Sequence, residues 1–273
     1  MMKQPELGKK ISSLRKEQGL TQEELVERCN ISVRTIQRIE NGEVTPRPYT
    51  VKLLLETLGH DFNTIRQEAQ GLQHYVDQFL QFFYLSEEEV DPKQAKADLR
   101  TSFTLGLFSF ILGFVEAGFD FNFWFDEFSS FTRGIYIMVK ISALVAAVFF
   151  YRGFVIIGAL QRNALLKIIS LLLIASFTAT IAYDIIAVGF DSINFDFVLG
   201  MEALTFGVLE LAFGIALFRQ GAQYGTTAKL SGVGEIVCGL CFLTFVLAPV
   251  GLVLLIPTMI LELLLLYKAM DRS

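Results

Sequence analysis

From residue 101 to about residue 270 the chain is dominated by Leu, Ile, Val, Phe and Ala, in runs too long for the helices of a soluble core. About 18 consecutive apolar residues cross the hydrocarbon of a bilayer. In that medium only a helix or a closed barrel satisfies every backbone polar group. Residues 1–100 are polar, with charges throughout. A chain of 273 residues split in this way has room for one small soluble domain followed by a membrane unit.

The net charge of −5 is unevenly placed. Residues 1–66 carry eleven Lys and Arg against nine Asp and Glu. This mild basic balance is compatible with DNA without demanding it. The first hundred residues hold no apolar h-region, so the N-terminal domain is expected in the cytoplasm. The three cysteines make no disulfide framework. Cys29 reads as a core residue, and Cys238 and Cys241, with no His nearby, read as packing rather than as metal ligands. The two histidines, His60 and His74, stand in or just after the soluble domain. No phosphate loop, nucleophile elbow or zinc signature occurs, so neither enzyme activity nor a metal or cofactor is expected.

The N-terminal periodicity is helical. Leu7, Ile11 and Leu14 share one face of a segment that Gly19 terminates. Thr21 opens TQEE, whose Glu24 completes a capping box, and a short helix runs on to Cys29 with Leu25 and Val26 inward. Asn30 occupies the turn, because after Gly it is the residue that best tolerates positive φ. Ser32 caps a helix over Val33–Glu40 that buries Ile36 and Ile39, and Asn41-Gly42 closes it. Pro46 and Pro48 precede a fourth helix, Tyr49–Leu58, with Gly59 behind it.

The stretch TQEELVERCNISVRTIQRIENG resembles the helix-turn-helix of the phage-repressor/Cro family, also called the XRE family. The resemblance runs from about Leu7 to Gly59, and departs from the family where Asn30 replaces the commoner turn Gly and Cys29 a small apolar residue. It implies a five-helix, lambda-repressor-like domain whose second motif helix enters the major groove. By position, Ser32, Val33, Arg34, Thr35, Gln37 and Arg38 are the residues expected at the bases and the rim of the groove, with Gln22, Asn41 and Arg47 at phosphates. Arg15 and Glu40 match an ion pair that locks the first helix to the recognition helix. The side-chain chemistry agrees, since Arg34 and Arg38 share a helical face, Arg reads guanine bidentately and Gln reads adenine.

Beyond Gly59, Phe62 and Ile65 are expected to pack back onto the domain. Leu72, Val76, Phe79, Leu80 and Phe83 then form an apolar stripe. Two readings stay open, pairing with a second copy or lying on the membrane surface. The polar side of the stripe offers Asp77 and Gln rather than the Lys and Arg of interfacial helices, which favours a homodimer. Residues Ser86–Val90 form an acidic hinge, and Asp91-Pro92 reads as a cap followed by Pro at the first helical position.

Six spans are expected, at roughly 103–119, 134–158, 164–188, 198–218, 229–247 and 250–268. Basic residues alternate with the loops. Lys93, Lys96 and Arg100 precede the first span; Arg152, Arg162 and Lys167 mark the second loop; Arg219 and Lys229 mark the fourth; Lys268 and Arg272 follow the last. Asp120, Asp126 and Glu127 against one Arg133 mark the first loop, and Asp191 and Asp196, with nothing basic, the third. The fifth is a tight turn, Ala248–Gly251. The positive-inside rule then puts both termini in the cytoplasm. Aromatic residues, Trp124 among them, crowd 119–131 as at a membrane interface. GFDFNF at Gly118 and GFDSINFDF at Gly189 hint at duplicated hairpins.

Charges inside hydrocarbon are costly and usually face a cavity or a partner. Glu116, Lys140, Asp184 and Glu202 fall in the outer third of their spans and make a possible pocket for a small-molecule or proton signal, with Glu116 and Lys140 placed to pair. Glu210, Glu235 and Glu262 lie deeper. Helix-to-helix pairing is the simpler account of such residues. The expected architecture is all-α: a helix-turn-helix domain over 1–66, an amphipathic helix and acidic linker over 67–100, and a six-helix transmembrane bundle over 101–273. The expected function is that of a bacterial DNA-binding transcription regulator in the inner membrane, with double-stranded DNA and the bilayer as partners. A transporter or channel carrying a regulatory helix-turn-helix domain, and a protein-interaction scaffold, are the alternatives.

Overall fold

The computed structural model describes residues 4–60, 74–86, 90–125, 130–187 and 195–272, and the chain divides into two compact units, Met1–Phe82 and Phe83–Ser273. All regular structure among the described residues is helical.

Four helices share the core of the first unit among its described residues: α1 (Glu6–Glu17), α2 (Gln22–Cys29), α3 (Val33–Glu40) and α4 (Pro48–Thr57). Their ends have local causes. The Thr21 hydroxyl accepts from the Glu24 N–H while the Glu24 carboxylate takes the Thr21 N–H, a complete capping box. Ser32 caps α3 through the Thr35 N–H at 3.2 Å. Pro48 starts α4, where its missing N–H leaves nothing unsatisfied. Gly19, Gly42 and Gly59 stand just past α1, α3 and α4 at positive φ. In each case the next residue's N–H returns to a carbonyl of the last turn, the paired bonding of a Schellman end.

One core joins the four helices. Ile11, Leu25, Ile36, Leu54 and Leu58 are fully buried in it, and Cys29 is 3% exposed. α1 crosses α3 so closely that a Cβ on Gly8 would lie 2.1 Å from the Ile39 carbonyl oxygen. Residues 74–82 form a further helix, α5, on which Val76 and Phe79 are exposed. The fifth helix expected of the domain falls past Gly59, where 61–73 lie outside the described residues. So do Phe62, Ile65, Leu72, Asp126, Glu127 and Asp191, and the side chains of Trp124 and Asp196.

The second unit contains α6 (Pro92–Phe125), α7 (Ser130–Leu160), α8 (Ala164–Ala187), α9 (Phe195–Arg219), the short α10 (Gly221–Tyr224), α11 (Thr226–Leu243) and α12 (Ala248–Arg272). Asp91 Oδ1 accepts the Lys93 N–H at 3.1 Å and caps α6. All but α10 carry stretches long and apolar enough to cross a membrane. Each long helix packs on the next in order, and α12 returns to α6 to close a ring. Phe150, Phe154 and Phe213 meet edge to face at its centre, beside Leu99, Leu265 and Leu266. The surface is apolar: Phe108, Ile111 and Phe114 on α6 and Met138, Ile141 and Val145 on α7 are exposed one helical turn apart. Lys140, Arg152, Glu210, Glu235 and Glu262 are buried. Polar inside and apolar outside is the distribution that hydrocarbon solvent selects.

Two expectations are corrected. The last connection is 244–247, four residues before the expected Ala248–Gly251 turn. Phe245 turns the chain at φ 56, and Pro249 sits in the first turn of α12, where a helix accepts it. Arg152, expected in a loop, lies within α7 and is 4% exposed.

Candidate functional site

The helix-turn-helix is held rigid from beneath. Arg15 Nε and Nη2 donate to Glu40 Oε1 and Oε2 at 2.7 and 2.9 Å, and Arg15 Nη1 donates to the Leu20 carbonyl at 2.7 Å. Gln22 Nε2 adds a bond to Glu40 Oε2 at 2.8 Å. α1, α2 and α3 therefore meet at one carboxylate. Burial by itself pushes the Glu40 carboxyl up, but the bonds from Arg15 and Gln22 outweigh it and hold the group below its ordinary value. Burial raises the Cys29 thiol and leaves it inert.

Asn30 turns α2 into α3 with φ 52 and ψ 39, the left-handed region. The turn presents one side of α3 outward. Ser32, Arg34, Gln37, Arg38, Asn41 and Arg47 are exposed, and Val33 and Thr35 are half-buried. Several of these side chains have local partners. The Ser32 and Thr35 hydroxyls share a hydrogen bond at 2.8 Å, Asn41 Nδ2 donates to Glu43 Oε1 at 3.2 Å, and Arg38 Nε stands 3.6 Å from Glu43 Oε2. An exposed pair such as Arg38–Glu43 is worth about 1 kcal/mol or less and yields to a stronger anion. The half-buried Gln22 is the first residue of α2, at the positive end of that helix.

In the second unit the structure gathers Glu116, Lys140 and Asp184 at the end of the bundle where α6 passes to α7. Lys140 Nζ lies 2.9 Å from Glu116 Oε1, 2.9 Å from Asp120 Oδ2 and 2.7 Å from Asp184 Oδ2. Tyr136 donates its hydroxyl to Asp120 Oδ1 at 3.1 Å. One buried ammonium thus ties α6, α7 and α8 together. Glu202 on α9 stands within electrostatic range of Asp184 and Lys140. Asp120, expected in the first loop, lies in α6. Its spacing of four from Glu116 would have put both on one helical face.

At the opposite end of the same three helices lies a second knot that sequence reading did not find. Arg152 Nη2 donates to Asp98 Oδ2 at 2.8 Å, and Tyr84 donates its hydroxyl to the same oxygen at 2.6 Å. The Arg152 guanidinium lies 5.6 Å from the centre of the Tyr84 ring. Lys167 Nζ donates to the Tyr84 carbonyl. Burial, then the Asp98 carboxylate, pushes the Tyr84 phenol up. No local pattern announces contacts among residues so far apart in the chain.

The other three long helices are joined differently. Glu210 on α9, Glu235 on α11 and Glu262 on α12 are 7%, 4% and 3% exposed. Cys238 Sγ is 4.0 Å from Thr258 Oγ1. Among the described residues no group of three His, Cys, Asp or Glu side chains is arranged to hold a metal ion.

Residues 11–63 match the helix-turn-helix family. No curated protein and no solved structure matches the chain. The match covers the core, the capped α2–turn–α3 and the exposed face described above, while the six apolar helices lie wholly downstream of it. The N-terminal part of this chain is a helix-turn-helix domain of the phage-repressor/Cro type, fused to six helices long and apolar enough to cross a membrane.

Proposed function

We propose that the protein is a sequence-specific transcription regulator held in the cytoplasmic membrane of a bacterium, with both termini in the cytoplasm. One observation carries this reading. An exposed face bearing Arg34, Gln37 and Arg38 stands on a helix fixed to its neighbours by the buried Arg15–Glu40 pair. In the proposed complex α3 enters the major groove. Arg34, Gln37 and Arg38 read base edges with Val33, and Ser32 and Thr35 line the groove. Asn41, Arg47 and the α2 end at Gln22 contact phosphates. Two domains bind two half-sites, so the protein acts as a homodimer. The membrane bundle anchors the regulator, and the Lys140 cluster, with Glu202 beside it, is where a small-molecule or proton signal acts.

The test is DNA crosslinking and recovery of the full-length protein from its native membrane, beside an Arg34→Ala/Arg38→Ala variant. Discrete, palindromic sites lost in the variant are expected. The variant removes only exposed side chains, so the domain stays folded. Absence of enriched sites with the unaltered protein would overturn the reading, and solute flux through reconstituted vesicles would then test a transporter.

A further inference from the structure

The covalent path from the helix-turn-helix unit to the bundle runs through Phe83 and Tyr84, the first residues of the second unit. Tyr84 belongs to no helix, yet it is fastened to three. Its hydroxyl goes to Asp98 on α6, its ring lies against Arg152 on α7, and its carbonyl accepts from Lys167 on α8. Phe83 beside it is 7% exposed. The backbone of Tyr84 sits at φ 53, a conformation side-chain-bearing residues rarely adopt, which persists only where the surroundings impose it. A segment held in a disfavoured conformation by a few polar contacts and by the packing of Phe83, Tyr84 and Val90 has an alternative state, in which those contacts open and the backbone relaxes.

We propose that the Tyr84 knot is a releasable latch that sets how much free chain joins the DNA-binding domain to the membrane bundle. Latched, the bundle holds the chain at Phe83 and Tyr84. Released, the first fixed residue is Pro92, where α6 begins. Residues 83–91 then add up to about 30 Å to the tether. That is comparable to the roughly 34–36 Å between half-sites on DNA, so the latch decides whether two anchored domains reach a paired operator. The functional part of this inference rests on the DNA-binding reading above; the latch itself does not.

Amide hydrogen exchange of the full-length protein in lipid nanodiscs tests the latch, and DNA crosslinking in cells tests its consequence. Tyr84→Ala leaves the Asp98–Arg152 pair intact, and Lys167→Met removes only the bond to the Tyr84 carbonyl. Each is expected to speed exchange across 83–91 at least tenfold while peptides from the interior of α7 stay protected, and to change crosslinked operator at least threefold. Unchanged exchange across 83–91 in both variants overturns the latch. Faster exchange with unchanged operator occupancy also overturns it, provided Arg34→Ala/Arg38→Ala abolishes that occupancy. If the unaltered protein crosslinks to no discrete sites, the DNA-binding reading has failed. The latch is then decided by exchange alone, upheld by the tenfold rise and overturned without it.

Discussion

Arg15 and Glu40, twenty-five residues apart in the chain, face each other through two parallel hydrogen bonds of 2.7 and 2.9 Å, with side chains 10% and 5% exposed. This fork-to-fork geometry fixes angle as well as distance. α1 is the helix against which α3 is aimed, so the pair sets the pitch of α3. Removing one partner strands the other. Glu40→Gln or Arg15→Met is expected to cost the N-terminal domain about 3 kcal/mol or more, read as a lowered denaturant midpoint of that domain's transition in the full-length protein.

The same pair makes a pH prediction. The Glu40 carboxyl is held below its ordinary value of 4.5 in the folded domain. A lowered folded value adds stability that is complete above about pH 4.5 and is lost as pH falls through the folded value. The stability gap between the unaltered protein and Glu40→Gln should therefore shrink on acidification from pH 5 to about pH 3. A gap constant across that range would show that Arg15 does not discriminate the charged carboxylate.

Asn30 shows how much of the domain was legible. Its place between a helix ending in Cys29 and a Ser cap leaves positive φ as the only tight solution, and the chain takes φ 52 there. Asn30→Gly is expected to be neutral or to stabilise by a few tenths of a kcal/mol, and Asn30→Val to cost about 1–2 kcal/mol. Thermal unfolding of the two variants beside the unaltered protein checks the order.

Caps, Gly stops and the i, i+4 pattern are local, so the boundaries of α2 and α3 were readable residue by residue. The membrane half was legible only in outline. Length and apolarity yielded six spans, and the costliness of buried charge picked out Glu116, Lys140 and Asp184. The spacing of four from Glu116 is a local sign that Asp120 joins them, but nothing local told that Asp98, Arg152 and Tyr84 meet across the other end. Pairing partners in a bundle are set by which helices become neighbours, and uniformly apolar helices carry no periodic mark of their faces.

The α9–α11 contact is a case where shape, invisible in hydropathy, decides packing. Gly207 and Gly214 on α9 face Gly239 and Gly232 on α11. A Cβ on Gly214 would stand 2.6 Å from the Gly232 carbonyl oxygen, and one on Gly232 would stand 2.6 Å from that of Gly214. The two backbones approach as small residues allow in membranes. Gly214→Ala or Gly232→Ala is expected to cost about 1–3 kcal/mol from overpacking. Gly113→Ala, where a Cβ meets nothing within 4 Å, is expected to be within about 0.5 kcal/mol of neutral. Thermal stability in detergent separates the two classes, and an equal loss at Gly113 and Gly214 would contradict the close approach.

Lys140 carries the sharpest prediction for the bundle. Its side chain is 3% exposed and holds three carboxylates at 2.7–2.9 Å, so those groups depend on it more than it depends on any one of them. Lys140→Met leaves Glu116, Asp120 and Asp184 crowded without a cation, and the expected loss is about 3–5 kcal/mol. The carboxylates differ in depth: Asp184 is 21% exposed and Asp120 is 44% exposed. Water screens the more open group, so Asp120→Asn is expected to cost about 1 kcal/mol or less, with Asp184→Asn between the two. Lys140→Arg keeps the charge but replaces a compact ammonium by a planar fork that cannot meet three carboxylates from three helices as closely, and it should recover only part of the loss. Thermal unfolding in nanodiscs ranks the four variants. If Lys140→Met unfolds no more easily than Asp120→Asn, the cluster does not hold α6, α7 and α8 together, and the three helices must be fixed by their apolar contacts alone.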